Sequence, residues 1–316
     1  MNTENPLVSI LIPGFKPQWL DLCISSCVNQ SYKNIEVLVG DDTEDGIISD
    51  IASKWSSLNI SVHRNHKKSM GTSNRWNLFE KSKGTYIKYV FDDDFLFPLS
   101  VEALVTACER HSASMAFHQR ICIGNHGQRL PDLPSIQAPT DAVAGQSFIV
   151  PREIVLKNMI NQGRNLIGEP SNCMFRRDVL QTELDKDGSF FSRSMIFLGD
   201  VKSYLNAALT DQPIVLVNGA LSAFRSHGQQ ASQSAIRPAG YYEWDFLRRY
   251  IFRLGLLSDA EFSIGLKNQV ALYENMNVEF ELKGELIEIA KAANEGNNYL
   301  DRDFQRVITK ADKILS

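Results

Sequence analysis

The sequence predicts an α/β protein built on a mostly parallel, doubly wound sheet, followed by a helical region. Three observations carry this reading. The first hundred residues alternate short apolar runs with segments of helical period, joined by short connections. Two of the apolar runs stop at acidic clusters, Asp41-Asp42 and Asp92-Asp93-Asp94. Beyond Pro238 the chain is rich in helix formers, with apolar residues at helical spacing only.

The elements follow in order. Leu7–Ile12 is an unbroken apolar run, as expected of a strand covered on both faces. Pro17 opens a helical pattern in which Leu20, Ile24, Cys27 and Val28 share a face. Ile35–Val39 is a second buried strand, ending at Gly40-Asp41-Asp42, and Ile47, Ile48, Ile51, Ala52 and Trp55 mark the next helix. Ile60–His63 is a weaker strand, Ser73–Lys83 a helix, and Thr85–Phe91 a strand that stops at the three aspartates. A helix starting at Pro98 and Ser100 buries Val101, Leu104, Val105 and Cys108. After this βα rhythm the pattern changes. Ser114–Ile123 reads as a strand, and Gly124–Gln146, with three prolines, as a long loop. Phe175–Leu180, Asp200–Leu209 and Ile214–Phe224 are expected to build an antiparallel extension forming a second wall. The pairs Tyr242/Phe246, Phe262/Leu266 and Leu282/Leu286 lie in a C-terminal region read as four helices.

Composition excludes several classes. The chain has 316 residues and a net charge of −4, with 43% hydrophobic and 22% charged residues, so it is neither disordered nor a basic nucleic-acid binder. The length suits about two domains. No apolar run approaches the roughly 20 residues of a spanning helix, and the N-terminus reads as a strand rather than a leader. Five cysteines without a CxxC pair point to buried, reduced thiols and a cytoplasmic protein. The C-terminal helices mix both charge signs, for example Glu281, Lys283, Glu285 and Lys291, which suits a soluble bundle.

The acidic clusters carry the chemistry. Three adjacent carboxylates repel one another, and at the end of a buried strand they call for a cation, for which Mg²⁺ or Mn²⁺ is the natural partner. The alternative is a solvated acidic turn capping the next helix. Asp41-Asp42 has the same placement, where a carboxylate can accept hydrogen bonds from a base or ribose. Neither GxxxxGK[ST] nor GxGxxG occurs, so a metal would have to offset phosphate charge.

The blocks VSILIPGFKP, CVNQSYKNIEVLVGDD and SKGTYIKYVFDDDFLFP, in this order and spacing, resemble the signature segments of family-2 glycosyltransferases with the GT-A fold. The likeness covers about residues 6–110, weakens towards residue 230 and is absent beyond. It implies a Rossmann-like GT-A domain with a nucleotide-sugar-binding half (1–113), an acceptor-binding half (114–235) and a C-terminal helical bundle (236–316). It also implies an inverting, metal-assisted hexosyltransferase of polysaccharide biosynthesis. The donor would be a nucleotide-diphosphate sugar, the acceptor a glycan, a lipid-linked glycan or a protein, and the cofactor Mn²⁺ or Mg²⁺. By position, the resemblance places Pro13, Phe15, Asp42, Arg75 and Asp92 at the nucleotide and Asp93 and His227 at the metal. Asp94 supports the turn. Asp200, in Phe197-Leu198-Gly199-Asp200, matches the family's catalytic base; helix capping is its plainer role. Glu169 and Arg225 are candidate substrate contacts. His63 and His66 are three residues apart but read as exposed at a strand end, and the basic run Arg64–Lys68 reads as solvated surface, with help to phosphates as its other role.

Two other readings stand beside this one. A GT-A-like binding module without catalysis would lack the candidate base and metal acids, which are present. A haloacid-dehalogenase-like phosphatase would use Asp92-x-Asp94 as its nucleophile motif, early in the chain and followed by Thr or Val rather than Phe95. The C-terminal helices are left to cover an acceptor, form a homo-oligomer contact, or dock peripherally on a membrane.

Overall fold

The computed structural model describes residues 5–65, 72–184, 193, 195–230, 236–276, 280–294 and 302–315. His66, Lys67 and Lys68 lie outside them. The elements run β1 (Val8–Gly14), α1 (Leu20–Val28), β2 (Ile35–Asp41), α2 (Ile47–Ser53), β3 (Ile60–Arg64), α3 (Thr72–Lys81), β4 (Tyr86–Tyr89), β5 (Phe95–Leu96), α4 (Ser100–His111), β6 (Met115–Ile123) and β7 (Ser147–Val150). They continue with β8 (Cys173–Arg176), α5 (Arg177–Leu184), α6 (Gly199–Ala208), β9 (Ile214–Arg225), α7 (Arg237–Arg253), α8 (Asp259–Glu274), α9 (Lys283–Asn294) and α10 (Arg302–Leu315). By internal contacts the chain divides into two units. One comprises Met1–Val150, Leu166–Asp185 and Asn206–His227; the other comprises Pro151–Asn165, Lys186–Leu205 and Gly228–Ser316.

The first unit holds a nine-stranded sheet in the order β3-β2-β1-β4-β8-β6-β9-β5, with β7 pairing β9. Strands β1, β2, β3 and β4 are parallel, in the register Val8↔Ile35 and Val8↔Tyr86. This is the expected doubly wound half. The apolar runs are strands because both faces are covered. Ile10, Ile12, Val37 and Val39 pack with Leu20 and Ile24 of α1, Ile48 of α2 and Val101, Leu104 and Val105 of α4. Leu11 and Leu38 are buried as well, and α3 packs on β1 and β2.

Three expectations are corrected. The first helix begins at Leu20 rather than at Pro17. The fourth strand is shorter than Thr85–Phe91, because Phe91 turns away and donates its N–H to Ser171 Oγ at 3.0 Å. The extension is not purely antiparallel. β8 runs antiparallel to β4 and β6, but β6 and β9 are parallel, with register shifts around Gln119. The stretch 124–146 carries no strand beyond an isolated Ile123↔Arg129 bridge, as its prolines suggest. All five cysteines are buried free thiols.

The second unit contains α7, α8, α9 and α10, the four helices expected from the apolar spacing, together with a π-helical segment Ile154–Ile160 and the start of α6. Tyr242, Phe246, Leu266, Tyr273, Leu286, Phe304 and Ile308 are buried. Ser258 and Glu261 form a reciprocal capping box at the start of α8. No helix among the described residues is long and apolar enough to cross a membrane.

Candidate active site

The strand order places β1 between β2 and β4, so the β1–β4 step is the point where a doubly wound sheet opens a crevice at its carboxyl edge. Phe15 follows β1, Asp42 follows β2, and Asp92-Asp93-Asp94 lie in the turn after β4. The predicted residues of these three strand ends are therefore brought to one edge of the first unit.

At β2, the two aspartates divide the work. Asp41 is fully buried and accepts hydrogen bonds from the N–H and hydroxyl groups of Thr43 and Ser49, so it shapes the turn into α2. Burial alone would raise its pKa, but these hydrogen bonds outweigh burial and hold it below the ordinary value. Asp42 lies beside a run of amides. Asn65 Nδ2 donates to Asp42 Oδ1 at 3.3 Å and to Asn74 Oδ1 at 3.0 Å, and Asn77 Nδ2 donates to Asn65 Oδ1 at 2.9 Å. The polar start of α3, Asn74-Arg75-Trp76-Asn77, thus serves the Asp42 edge. Arg75 stacks 4.7 Å from the Tyr89 ring centre, and among the described residues its buried Nε has no hydrogen-bond partner.

The three aspartates of the turn are all buried and have three different roles. Asp92 Oδ2 accepts the backbone N–H groups of Phe15 and Lys16, both at 2.6 Å, which fastens the exit of β1 to the turn after β4. Asp93 Oδ2 receives the Lys16 ammonium and shares a hydrogen bond of 2.8 Å with His227 Nε2. Asp94 points the other way, accepting from Ser171 Oγ at 2.6 Å and from the Arg225 N–H at 2.9 Å. Burial first, then the charge of Asp93, lifts the Asp94 carboxyl far above its usual range. Burial also raises Asp92, against the pull of Lys16.

Pro13 sits within β1, opposite Gly40 of β2. The Phe15 side chain is half exposed at 51%. Arg225 is turned inward. Its Nε donates to the Asp93 carbonyl at 3.0 Å, its Nη1 donates to the Gly124 and Asn125 carbonyls at 3.1 and 3.3 Å, and its guanidinium lies 5.0 Å from the Trp19 ring. It therefore braces the aspartate turn from below. The Trp19 ring also meets the His227 ring, at 4.7 Å between centroids. Glu169 forms an ion pair with the buried Arg120 beside Gly168. Asp200 belongs to the second unit, in the first turn of α6, where Asn165 Nδ2 donates to its Oδ2 at 3.4 Å. His63 is bonded to Ser61 and does not act with a second histidine among the described residues.

Among the described residues no three His, Cys, Asp or Glu side chains converge as a ready-made metal cage. The nearest approach to one is the Asp93–His227 pair. Its 2.8 Å spacing fits two adjacent ligands of an ion bound at 2.0–2.1 Å, whose octahedral edge is about 3 Å. One carboxylate oxygen and one imidazole nitrogen suit Mn²⁺ better than the all-oxygen shell of Mg²⁺, with phosphate and water left to complete the coordination. Lys16, Trp19 and Ser171 are the site residues that sequence reasoning missed. Lys16 had a signal, since it lies two residues beyond β1, in the same crevice as the carboxylates it serves.

The model of glycosyl transferase family 2 matches residues 9–184 of this chain. A Mycobacterium tuberculosis relative, uncharacterized protein MT1568, is 27% identical over 216 residues, which is 66% of this chain and 64% of the relative. The chain spans less than two thirds of the length of the curated relatives it matches. Among solved structures, S. aureus TarS 1–349 superposes with a TM-score of 0.58 at 15% identity, covering 98% of this chain and 82% of that one. Its complex with UDP-GlcNAc gives 0.51 at 15% identity, over 95% and 78%. With the GT-A fold, the strand-end acids and a family match over more than half its length, the chain belongs to glycosyl transferase family 2.

Proposed function

We propose that the protein transfers a sugar, with inversion, from a nucleotide-diphosphate donor to a hydroxyl of a glycan, a lipid-linked glycan or a protein. The observation that carries this reading is the convergence of Phe15, Asp42, Asp92, Asp93 and His227 at the carboxyl ends of β1, β2 and β4 and at the end of β9. Asp42 accepts from the base, Phe15 walls it, and Arg75 and Asp92 line the nucleotide. Asp93 and His227 would hold Mn²⁺ or Mg²⁺, which when bound supplies positive charge against the departing diphosphate.

Asp200 is the base in this reading. Its carboxylate takes the acceptor hydroxyl's proton while that oxygen bonds to the anomeric carbon. The bond from that carbon to the diphosphate breaks at the same time, leaving a glycoside and a nucleoside diphosphate. Asn165 donates to Asp200 Oδ2 and the Val201 N–H to its Oδ1 at 2.8 Å, so both oxygens are anchored while a carboxylate keeps further lone pairs for the proton. Such proton transfer contributes about 10²–10⁴ in rate.

The test is a nucleotide-sugar screen with Mn²⁺ or Mg²⁺, reading donor hydrolysis and nucleotide binding together. The UDP-GlcNAc complex of TarS makes a uridine diphosphate sugar the first donor to try. Asp93→Ala is expected to abolish metal-dependent nucleotide binding. Asp200→Asn is expected to leave that binding intact and lower transfer by about 10²-fold or more. Full turnover by the Asp200→Asn protein would remove it as the base, and undiminished activity in excess chelator would remove the metal.

A further inference from the structure

The sequence calls for a cation among Asp92, Asp93 and Asp94, and the structure supplies one from the chain itself. The Lys16 ammonium is bonded to Asp93 Oδ2 and lies 3.6 Å from Asp92 Oδ1. It occupies the carboxylate oxygen that a divalent ion would need, the same atom that His227 Nε2 meets at 2.8 Å.

We propose that Lys16 is the built-in counter-ion of this site and competes with the divalent cation for the Asp93 carboxylate. The inference rests on the proposed function only for the identity of the cation site.

An ammonium and a metal ion cannot share that oxygen. Both need its lone pairs, and their like charges repel at a few ångströms with several times the thermal energy, even under strong screening. Lys16 is built to move aside. Its backbone N–H stays fixed to Asp92 Oδ2, while its four-carbon stem keeps 22% of the side chain exposed. Rotation of that stem therefore releases Asp93 without disturbing the β1 exit. With Lys16 in place one positive charge already stands against the carboxylates of Asp92 and Asp93 before any ligand binds. When a diphosphate brings a cation to Asp93, the displaced ammonium becomes a donor for phosphate oxygen. Metal alone should bind weakly, and metal with a nucleoside diphosphate well.

The test needs no donor sugar. Mn²⁺ binding to the full chain, without nucleotide, is titrated by the loss of the free-ion electron paramagnetic resonance signal. The proteins compared are wild type, Lys16→Met and Lys16→Arg, each checked for folding by circular dichroism. Lys16→Met keeps the stem and removes the charge, and should bind Mn²⁺ at least about tenfold tighter than wild type. Lys16→Arg keeps the charge and should stay within about threefold of wild type. Equal or weaker binding by Lys16→Met overturns the proposal, as does tightening of the same size in Lys16→Arg. Tighter Mn²⁺ binding without any donor hydrolysis would leave the competition standing and remove the transferase reading. Normal hydrolysis with unmoved Mn²⁺ affinity would do the reverse.

Discussion

Asp94 illustrates how a residue can belong to a motif without meeting its ligand. It is buried, its two oxygens take the Ser171 hydroxyl and the Arg225 N–H, and its carboxyl is raised far above the ordinary range by burial and by the charge of Asp93. A shift in that direction favours the protonated form, so an amide of the same shape should replace it. In Asp94→Asn the amide oxygen can accept from the Arg225 N–H. The amide nitrogen can donate to Ser171 Oγ, whose hydroxyl is free to rotate. That variant should lie within about 1 kcal/mol of wild type in urea unfolding. Asp94→Ala, which leaves the buried Arg225 N–H without an acceptor, should lose about 1–3 kcal/mol. A loss in Asp94→Asn as large as in Asp94→Ala would mean that the buried carboxyl is ionised. Arg225 makes a related point. Its chemistry suggests phosphate, yet its Nε and Nη1 are spent on the carbonyls of Asp93, Gly124 and Asn125, some 100 to 132 residues away in sequence. Only tertiary structure shows that.

The start of α6 shows the same logic at the scale of an element. The segment before a helix presents N–H groups that need partners. Here they find the Glu243 carboxylate of α7, which accepts from Ile196 at 2.6 Å, Phe197 at 3.0 Å and Leu198 at 2.6 Å. All of these groups lie in the second unit, and two residues further on stands Asp200, so Glu243 sets the start of the helix that bears the candidate base. Desolvation pushes Glu243 up to about 7, against the pull of the three N–H groups. Because the folded value lies above the unfolded one, the native state holds a proton between about pH 4.5 and 7 that the unfolded chain releases. The contribution of this group is therefore full at or below pH 4.5, falls as pH rises through 7, and is flat above. At 1.36 kcal/mol per unit, the loss is about 3 kcal/mol. Urea unfolding of wild type at pH 5 and pH 7.5 should show this fall, and Glu243→Gln, which cannot titrate, should not. An identical pH slope in both proteins would assign the titration elsewhere.

For the whole molecule, what was legible in the sequence was what repeats or stands next in line. The apolar runs Leu7–Ile12 and Ile35–Val39, the acids that follow the second of them, and the spacing Tyr242/Phe246 are local signals, and β1, β2 and α7 follow from them. What was not legible depends on pairing at a distance. Lys16 stands two residues beyond β1, but its ammonium finds Asp93 only because β1 lies beside β4. Glu243 stands beside Tyr242 of that spacing, and only the fold shows that it is fully buried. Residues 151–165 and 186–205 group by contact with the C-terminal helices, a division that no boundary in composition marks. That grouping has a measurable consequence, because each unit contains a glycine pressed against its own core. A Cβ at Gly265 in α8 would stand 2.0 Å from Asn161 Oδ1 and 2.7 Å from Arg248 Cδ. Arg248 is buried there and is held by the Asn161 carbonyl at 2.9 Å and by Gln269 Oε1 at 2.8 Å. The helix-propensity gain of Gly→Ala, up to about 1 kcal/mol, is outweighed by an overpacking cost of about 1–3 kcal/mol. A Cβ at Gly40 in β2 would stand 2.1 Å from Asn74 Oδ1, with the same sign. If each unit unfolds as its own cooperative body, these strains stay within their unit. Hydrogen exchange read by mass spectrometry should then show faster exchange in α7 and α8 of Gly265→Ala with β1 and β2 unchanged, and the opposite pattern in Gly40→Ala. Uniformly faster exchange in both variants would mean that the chain opens as a single body.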